Sequence, residues 1–435
     1  MGEGRSTVVK ENAVRVALLL AAGRGLRMRS TRPKVLRRVG GTTLLERSVR
    51  VLRQAGVERI IVVLGYRADD VVATIKDRKL PVEVVVNPDW ESGTASSVLA
   101  GLSQIGERRC LVVMGDHVFE ADDVRRLIQT PAGNVAAVGR SEQPVAESST
   151  RPNRIRLRDD GSVAGLGPDL DEYDGVDAGL SVVDVQDVLL VTYRERESWL
   201  EVRQQLLAHG CEMQSREVRG LWADVDTPET VRALERSMWR RYGPKPTDGV
   251  IARVLNRRIS GPLTRLLLRT RLSPDVATAL AFAVTLIAAA LVATGDTWLM
   301  VAGGLGVVLG SALDGVDGEL ARVSARASRR GATLDTLLDR YADLAVVLAL
   351  VLATGATRTA WAWGFAAAVG CLLISYVHAV GRDTDVRLLF RREFRLLIFA
   401  LAAISGFPLW GLIAVAIAAN VDAVRGVALL LRALR

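Results

Sequence analysis

Two regimes of hydrophobic patterning divide the chain. Up to about residue 238, apolar residues come in short runs: VRVALLLAAGR from Val14, RIIVVLGY from Arg59, VEVVVN from Val82, CLVVMGD from Cys110 and VDAGLSVVD from Val176. Each is bounded by Gly, Asp, Asn or charged residues, which predicts buried strands, and helical stretches lie between them. Strands alternating with helices predict an α/β domain built on a parallel, doubly wound sheet. After residue 272 the apolar runs lengthen. Six stretches (274–294, 298–318, 335–355, 360–380, 395–407 and 409–428) are expected to cross a membrane, although a span needs ~20 apolar residues and the fifth falls short of that. Just before them, Ile259 to Thr270 mixes basic and apolar residues at helical spacing. That predicts an amphipathic helix lying in the membrane interface and stopped by Pro274, or a plain linker helix. Gly, Pro and charge between Ser237 and Val250 predict a linker. The expected organisation is a cytoplasmic α/β domain over 1–238, a linker with interfacial helix over 239–272, and an all-α polytopic membrane domain of about six transmembrane helices over 273–435.

Composition agrees with this division. Charged residues make up 24% of a chain that is 49% hydrophobic, and the net charge is +9. A basic chain can bind nucleic acid, but here the positive residues cluster beside the apolar segments, as expected at an anionic membrane surface. No nucleic-acid partner is expected. Cys110, Cys211 and Cys371 lack metal or disulfide spacing and read as reduced thiols facing the cytoplasm. Residues 1–15 are polar and charged, so no signal peptide is expected to open the chain. Arginines concentrate on one side of the expected spans: the 251–271 segment, Arg322, Arg326, Arg329, Arg330, Arg382, Arg387, Arg391, Arg392, Arg395, Arg432 and Arg435. The opposite side carries only Arg358. The positive-inside rule then predicts a multi-pass protein of the cell's inner membrane, with both termini and the catalytic sites toward the cytoplasm.

The strongest chemical signal lies inside the apolar third, where residues 314–339 read DGVDGELARVSARASRRGATLDTLLD. Asp314 and Asp317 are spaced i,i+3 and Asp335 and Asp339 i,i+4, so each pair projects from one helix face. An aspartate pair near a helix end is commonly a cap or a solvated face. Two such pairs at membrane depth need a compensating cation, and hard divalent ions with oxygen ligands supply it. Gly318 and Gly331 allow close approach of a ligand to the backbone, and Arg322 offers a bidentate fork for phosphate. The stretch resembles, at every fixed position, the signature of the CDP-alcohol phosphotransferase family. The resemblance implies that Asp314, Asp317, Asp335 and Asp339 are metal ligands and that Asp339 is also the base for the attacking hydroxyl. It also implies that Gly318, Arg322 and Gly331 hold the CDP moiety. The metal is expected to be Mg²⁺ or Mn²⁺.

The first strand runs into GRGLRMRSTRPKVL, with Gly23, Gly25, Arg27 and Lys34. Glycines between a strand and a helix expose N–H groups to phosphate, and Arg27 and Lys34 can stabilise a triphosphate and its pyrophosphate leaving group. With Pro33, Val35 and Leu36 at this distance, the segment resembles the sugar-nucleotide pyrophosphorylases, nucleotidyltransferases of Rossmann-like fold. By that resemblance, which spans about residues 14–238, Gly93 and Thr94 contact the base. Asp177 and Gly179 lie on the sugar-facing strand. Asp116 and Asp226 are the metal pair, with Asp224 as second choice. Asp116 also suits a turn, Asp226 also suits a helix N-cap before Thr227 and Pro228, and His117 is expected to be structural.

One half thus resembles an enzyme that makes a nucleoside-diphosphate-linked alcohol, and the other an enzyme that consumes a CDP-alcohol. Fusion raises the effective concentration of the shared intermediate. The arrangement resembles the bifunctional CTP:inositol-1-phosphate cytidylyltransferase / CDP-inositol:inositol-phosphate transferase family. That implies CTP, a CDP-alcohol and inositol phosphate as ligands, with Arg391 and Arg392 binding the acceptor phosphate. Those arginines equally suit membrane anchoring, and His378 suits a polar contact or packing. Two alternatives stay open: a transferase that uses CDP-diacylglycerol or another polyol, and a lone transferase with a non-catalytic N-terminal regulatory module. A homodimer through the spans is expected, with Gly303, Gly304, Gly306 and Gly310 permitting close helix approach.

Overall fold

A computed structural model of the chain describes residues 14–433 except 29, 132, 140–151, 192–196, 244–256, 271, 382, 383, 385 and 387. The chain divides into two compact units at Arg240–Arg241, and each is described by itself.

The first unit is a nine-stranded sheet flanked by helices. Its strands are β1 (Val16–Ala21), β2 (Arg59–Leu64), β3 (Glu83–Val86), β4 (Arg109–Met114), β5 (Asn134–Gly139), β6 (Arg154–Leu157), β7 (Val163–Gly167), β8 (Gly175–Asp184) and β9 (Met213–Glu217). All six residues of β1 are buried, so it is apolar throughout rather than alternating, as a central strand covered on both faces must be. Its neighbours β2 and β4 are parallel to it, and β3 is parallel to β2. The expectation of a parallel sheet holds for this half and for the pair of β5 with β9, and fails for the strands between and beside them. The ten-residue β8 inserts antiparallel between β4 and β5, and β6 and β7 pair antiparallel at the edge. Strands of opposite direction need no helical crossover, which explains why no helix separates β6, β7 and β8 in the sequence.

Among the described residues, seven helices belong to this part of the chain: α1 (Leu44–Ala55), α2 (Ala68–Asp77), α3 (Thr94–Leu102), α4 (Ala121–Ile128), α5 (Val185–Leu190), α6 (Trp199–Ala208) and α7 (Pro228–Tyr242). Local chemistry fixes their starts. Thr43 and Glu46 form a capping box at α1, Ser198 and Glu201 another at α6. Helix α3 lies close on β1 because Gly101 has no side chain; a Cβ there would stand 2.8 Å from Leu18 Cδ2. Residues 237–242, expected as linker, continue α7 instead, with Met238 fully buried on its inner face. The rest of that expected linker lies largely outside the described residues.

The second unit contains α8 (Arg257–Leu267), α9 (Pro274–Ala293), α10 (Thr297–Val323), α11 (Arg329–Ala353), α12 (Arg358–Val380), α13 (Arg392–Ile404) and α14 (Pro408–Ala433). The amphipathic helix ends at Leu267, before Pro274. That proline opens α9 behind a Ser273 N-cap, where its missing N–H costs nothing. Among the described residues four helices, α9, α10, α12 and α14, are long and apolar enough to cross a membrane. The other two expected spans are present as helices with a different character. Helix α11 carries Arg329, Arg330, Asp335, Asp339, Arg340 and Asp343, and α13 has only 13 residues. Buried residues of α9 to α14, such as Val292, Val307, Leu350, Phe399 and Leu412, share one apolar core. The four glycines of α10 are used within the chain. A Cβ on Gly303 or Gly306 would strike Ala288 of α9, one on Gly310 Thr285, and one on Gly304 Ile404 and Ala400 of α13. They therefore set helix spacing inside the unit and do not point to a second copy.

Candidate active sites

The C-terminal ends of β1 and β4 open into a cleft of about 950 Å³, the position at which open α/β sheets bind ligands. Gly23, Gly25, Arg27, Lys34, Gly93, Thr94, Asp116, His117, Asp177, Gly179, Asp224 and Asp226 all line it. Gly25 adopts φ +66°, and a Cβ there would lie 2.7 Å from Lys34 Cβ, so the loop folds tightly over the lysine only as glycine. Gly23 has open space beside it. Gly93, at φ 103°, turns the chain into α3, and Thr94 Oγ1 accepts a hydrogen bond of 2.7 Å from the Trp199 N–H.

Lys34, although only 8% exposed, is the hub. Its Nζ donates to Asp116 Oδ2 at 2.8 Å and to Asp226 Oδ1 at 2.5 Å, and lies 3.8 Å from Asp224 Oδ1. Arg27 Nη1 holds the other oxygen of Asp226 at 2.6 Å. Burial alone would lower the lysine's proton affinity. The charges of Asp116 and Asp224 and the hydrogen bonds to Asp116 and Asp226 outweigh it, and hold Lys34 well above the ordinary lysine range. Lys34 is therefore a fixed cation at neutral pH and not a base. Burial would raise Asp116, but the Lys34 charge and the His117 hydrogen bond hold it far below the usual carboxylate range. Asp226 is lowered against its own burial by Lys34. Asp224 is raised, by burial first and then by its acidic neighbours.

The expected metal pair, Asp116 and Asp226, is thus bridged by Lys34. The group whose ligand atoms lie within 4.8 Å of one another is Asp116, His117 and Asp224. His117 is more than a packing residue. Its Nδ1 is 2.8 Å from Asp116 Oδ1, and Gly179, at φ +74°, leaves room for its ring; a Cβ there would come within 2.6 Å of it. Burial would lower His117, but the charge of Asp224, the hydrogen bond to Asp116 and its charge hold it at about 9. A group raised from 6.5 to about 9 on folding contributes stability that is complete below pH 6.5 and lost as the pH rises through 9. In chelator, the melting temperature of the full chain is expected to fall across that window, and His117→Gln to flatten the fall. An unchanged slope in the variant would refute the assignment.

In the second unit, α10 and α11 deliver the four signature aspartates. Single oxygens of Asp314, Asp335 and Asp339 lie within 4.8 Å of one another. Three hard oxygen donors at this separation suit a divalent ion of the Mg²⁺ or Mn²⁺ type. Asp317 stands outside that group: buried, it accepts hydrogen bonds from Thr278 Oγ1 and its neighbour's Gly318 N–H. Arg322 donates from Nε to Tyr242 O at 2.8 Å and from Nη2 to Gly243 O at 3.0 Å. At Gly318 a Cβ would stand 2.9 Å from Arg322 Nη1, and at Gly331 3.3 Å from Asp275 Oδ1. Arg391 is the N-cap residue of α13, and Arg392 Nη1 reaches into the carboxylate group, 2.9 Å from Asp314 Oδ2 and 2.8 Å from Asp339 Oδ1. His378 is exposed on α12, and Arg382 and Arg387 lie outside the described residues.

Sequence reasoning passed over Asp343 and read Arg395 only as one of the basic residues beside the spans; the two are 2% exposed and 3.2 Å apart. The signal was present. Asp343 continues the i,i+4 stripe of Asp335 and Asp339, and Arg395 is one helical turn beyond Arg392. It also passed over Arg203, which holds Asp177 in a buried ion pair at the cleft wall.

Residues 17–293 match the family model of the MobA-like NTP transferase domain, and residues 271–421 that of CDP-alcohol phosphatidyltransferases. Fold and sites together thus define a transferase with a nucleotidyltransferase domain and a CDP-alcohol phosphatidyltransferase domain in one chain. A protein of Rubrobacter xylanophilus named "Bifunctional IPC transferase and DIPP synthase" is 41% identical, with 94% of this chain and 95% of that protein covered. Proteins of the same name from Thermococcus kodakarensis (32% identical; 75% and 73% covered) and Aquifex aeolicus (29%; 83% and 83%) are similar as well. The chain belongs to the family of bifunctional IPC transferases and DIPP synthases.

Proposed function

We propose that the first unit joins CTP to L-myo-inositol 1-phosphate and that the second transfers phosphoinositol from the resulting CDP-inositol to another inositol 1-phosphate. The observation that carries this reading is the likeness to the Rubrobacter protein over nearly the whole of both chains, which spans both sites at once. In the first step, a phosphate oxygen of inositol 1-phosphate attacks the α-phosphorus of CTP, and the bond to the β-phosphate breaks to release pyrophosphate. Lys34 and Arg27, fixed cations at the cleft, offset the charge that develops on the triphosphate. Gly23, Gly25, Gly93 and Thr94 supply the nucleotide's bed. Asp116, with Asp226 or with His117 and Asp224, would hold a metal ion.

In the second step, a hydroxyl of the acceptor attacks the β-phosphorus, and the bond to CMP breaks. Asp339 takes the hydroxyl's proton. Asp314, Asp335 and Asp339 would hold Mg²⁺ or Mn²⁺, with Asp317 turning from Thr278 to join them, and the ion would neutralise the pyrophosphate bridge. Gly318, Arg322 and Gly331 hold the CDP moiety, with Arg322 leaving its carbonyl partners for phosphate, and Arg391 and Arg392 hold the acceptor phosphate. The helical domain (273–435) crosses the inner membrane six times, behind the linker of 239–272. Its basic ends and the nucleotidyltransferase domain (1–238) lie on the cytoplasmic side, where CTP is found. If two copies pair, they do so through faces other than the α10 glycines.

Mass spectrometry of the products formed from CTP and inositol 1-phosphate in membranes holding the protein tests this reading. Phosphorylated inositol diester and CMP are expected. A parallel panel replaces inositol 1-phosphate with other phosphorylated alcohols and supplies CDP-diacylglycerol as donor. Turnover confined to one of those substitutes would end the inositol assignment.

A further inference from the structure

Asp343 of α11 belongs to none of the roles above, yet it is 2% exposed and lies between two arginines. Its Oδ1 accepts from Arg392 Nε at 3.0 Å, and its Oδ2 lies 3.2 Å from Arg395 Nη2. Arg395 is in turn fixed by donating from Nη1 to Cys371 O at 3.0 Å. One edge of the Arg392 guanidinium is thereby anchored on a buried pair that has no access to solvent. The other edge points into the aspartate group, with a single nitrogen, Nη1, between Asp314 and Asp339. Those two carboxylates are also members of the set that would hold a divalent ion. A guanidinium nitrogen at hydrogen-bond distance from both and an ion bound by them carry like charge and compete for the same oxygens.

We propose that Arg392 is a tethered counter-ion of the aspartate group, and that Asp343 is the positioning residue that tethers it. Before an ion binds, Nη1 holds Asp314 and Asp339 together. When an ion takes their oxygens, the guanidinium swings on its Nε–Asp343 hinge and presents its freed N–H groups to a phosphate dianion. The acceptor's phosphate site is completed only by loading the metal site, so the ion binds first and the acceptor after it. The order also keeps a phosphorylated acceptor away from an unloaded centre. This proposal rests on the reading of the second unit as a metal-dependent transferase.

The test measures Mn²⁺ binding by titration calorimetry and electron paramagnetic resonance. It uses full-length protein carrying Asp116→Asn and Asp224→Asn, so that only the second site is read. A competitor that occupies the binding-competent state lowers apparent affinity in proportion to its occupancy. Arg392→Gln in this background is therefore expected to bind Mn²⁺ about tenfold more tightly or better, a change of about 1.4 kcal/mol. Arg392→Lys guards against a folding defect. It keeps the competing charge and loses the planar fork that reaches Asp343. Mn²⁺ affinity should stay near that of the parent while inorganic phosphate affinity at saturating Mn²⁺ falls. Inorganic phosphate should bind the parent only when Mn²⁺ is present. Asp343→Asn should weaken phosphate binding with Mn²⁺ affinity kept, and Asp343→Glu should restore part of it. Equal or weaker Mn²⁺ binding by Arg392→Gln, or phosphate binding that ignores Mn²⁺, overturns the proposal alone. No Mn²⁺ uptake by parent or variant overturns the metal reading and the proposal with it.

Discussion

Asp339→Asn is expected to reduce CMP release from supplied CDP-inositol and inositol 1-phosphate by about 10³-fold or more. Two losses combine. The amide cannot accept the hydroxyl proton, and general-base removal alone costs about 10²–10⁴-fold. The amide also brings no negative charge to a group whose three oxygens lie within 4.8 Å of one another, so any bound ion is held less firmly. Asparagine keeps the side chain's shape, and Arg392 retains Asp314 and Asp343 as partners, so the fold is expected to survive. Pyrophosphate release from CTP, measured on the same sample, should be unaffected. A variant that still transfers at near the parental rate would remove Asp339 from the chemistry. A variant that loses both activities would point to a damaged protein and would be checked by its melting curve.

Lys34→Ala should produce the mirror image. Pyrophosphate release from CTP and inositol 1-phosphate is expected to drop by about 10²–10³-fold, the usual loss when one preorganised charge aimed at a developing anion is removed. Transfer from supplied CDP-inositol should remain. The size of the effect follows from Lys34's position: a buried ammonium within 2.8 Å of both Asp116 and Asp226 is a permanent charge fixed in the cleft. Its removal also leaves Asp116 and Asp226 close together with one fewer cation, so some loss of stability is expected and the melting temperature must be measured alongside. Lys34→Arg keeps the charge in a bulkier form and should recover part of the rate. If pyrophosphate release is unchanged in Lys34→Ala, Lys34 takes no part in the first step; absence of release from the parent protein as well would make the first unit a regulatory module.

Much of the second site was legible from spacing. A helix places residues three and four apart on one face, so Asp314, Asp317, Asp335 and Asp339 announced two carboxylate pairs. The lengths of α9, α10, α12 and α14 followed from runs of apolar residues. The first site was legible as far as its loop: a buried strand, then glycines, then Arg27 and Lys34. What spacing could not give was the mutual arrangement of groups distant in sequence. Lys34 and Asp226 are 192 residues apart, and Arg392 and Asp314 are 78 apart. The antiparallel insertion of β8 was likewise hidden, because a buried strand reads as the same apolar run in either direction.

The sequence by itself determined the two regimes of the chain, the strands and helices that carry the site residues, and the chemical types gathered on each face, since all of these depend on the order of nearby residues. Only the tertiary structure decided that Lys34 clamps the expected metal pair, that His117 joins Asp116 and Asp224, and that Asp317 stands apart from its three partners. It also decided that Arg392, anchored by Asp343, enters the aspartate group. Charge pairing acts through space over a few ångströms, and which charges come that close depends on how the helices and strands pack.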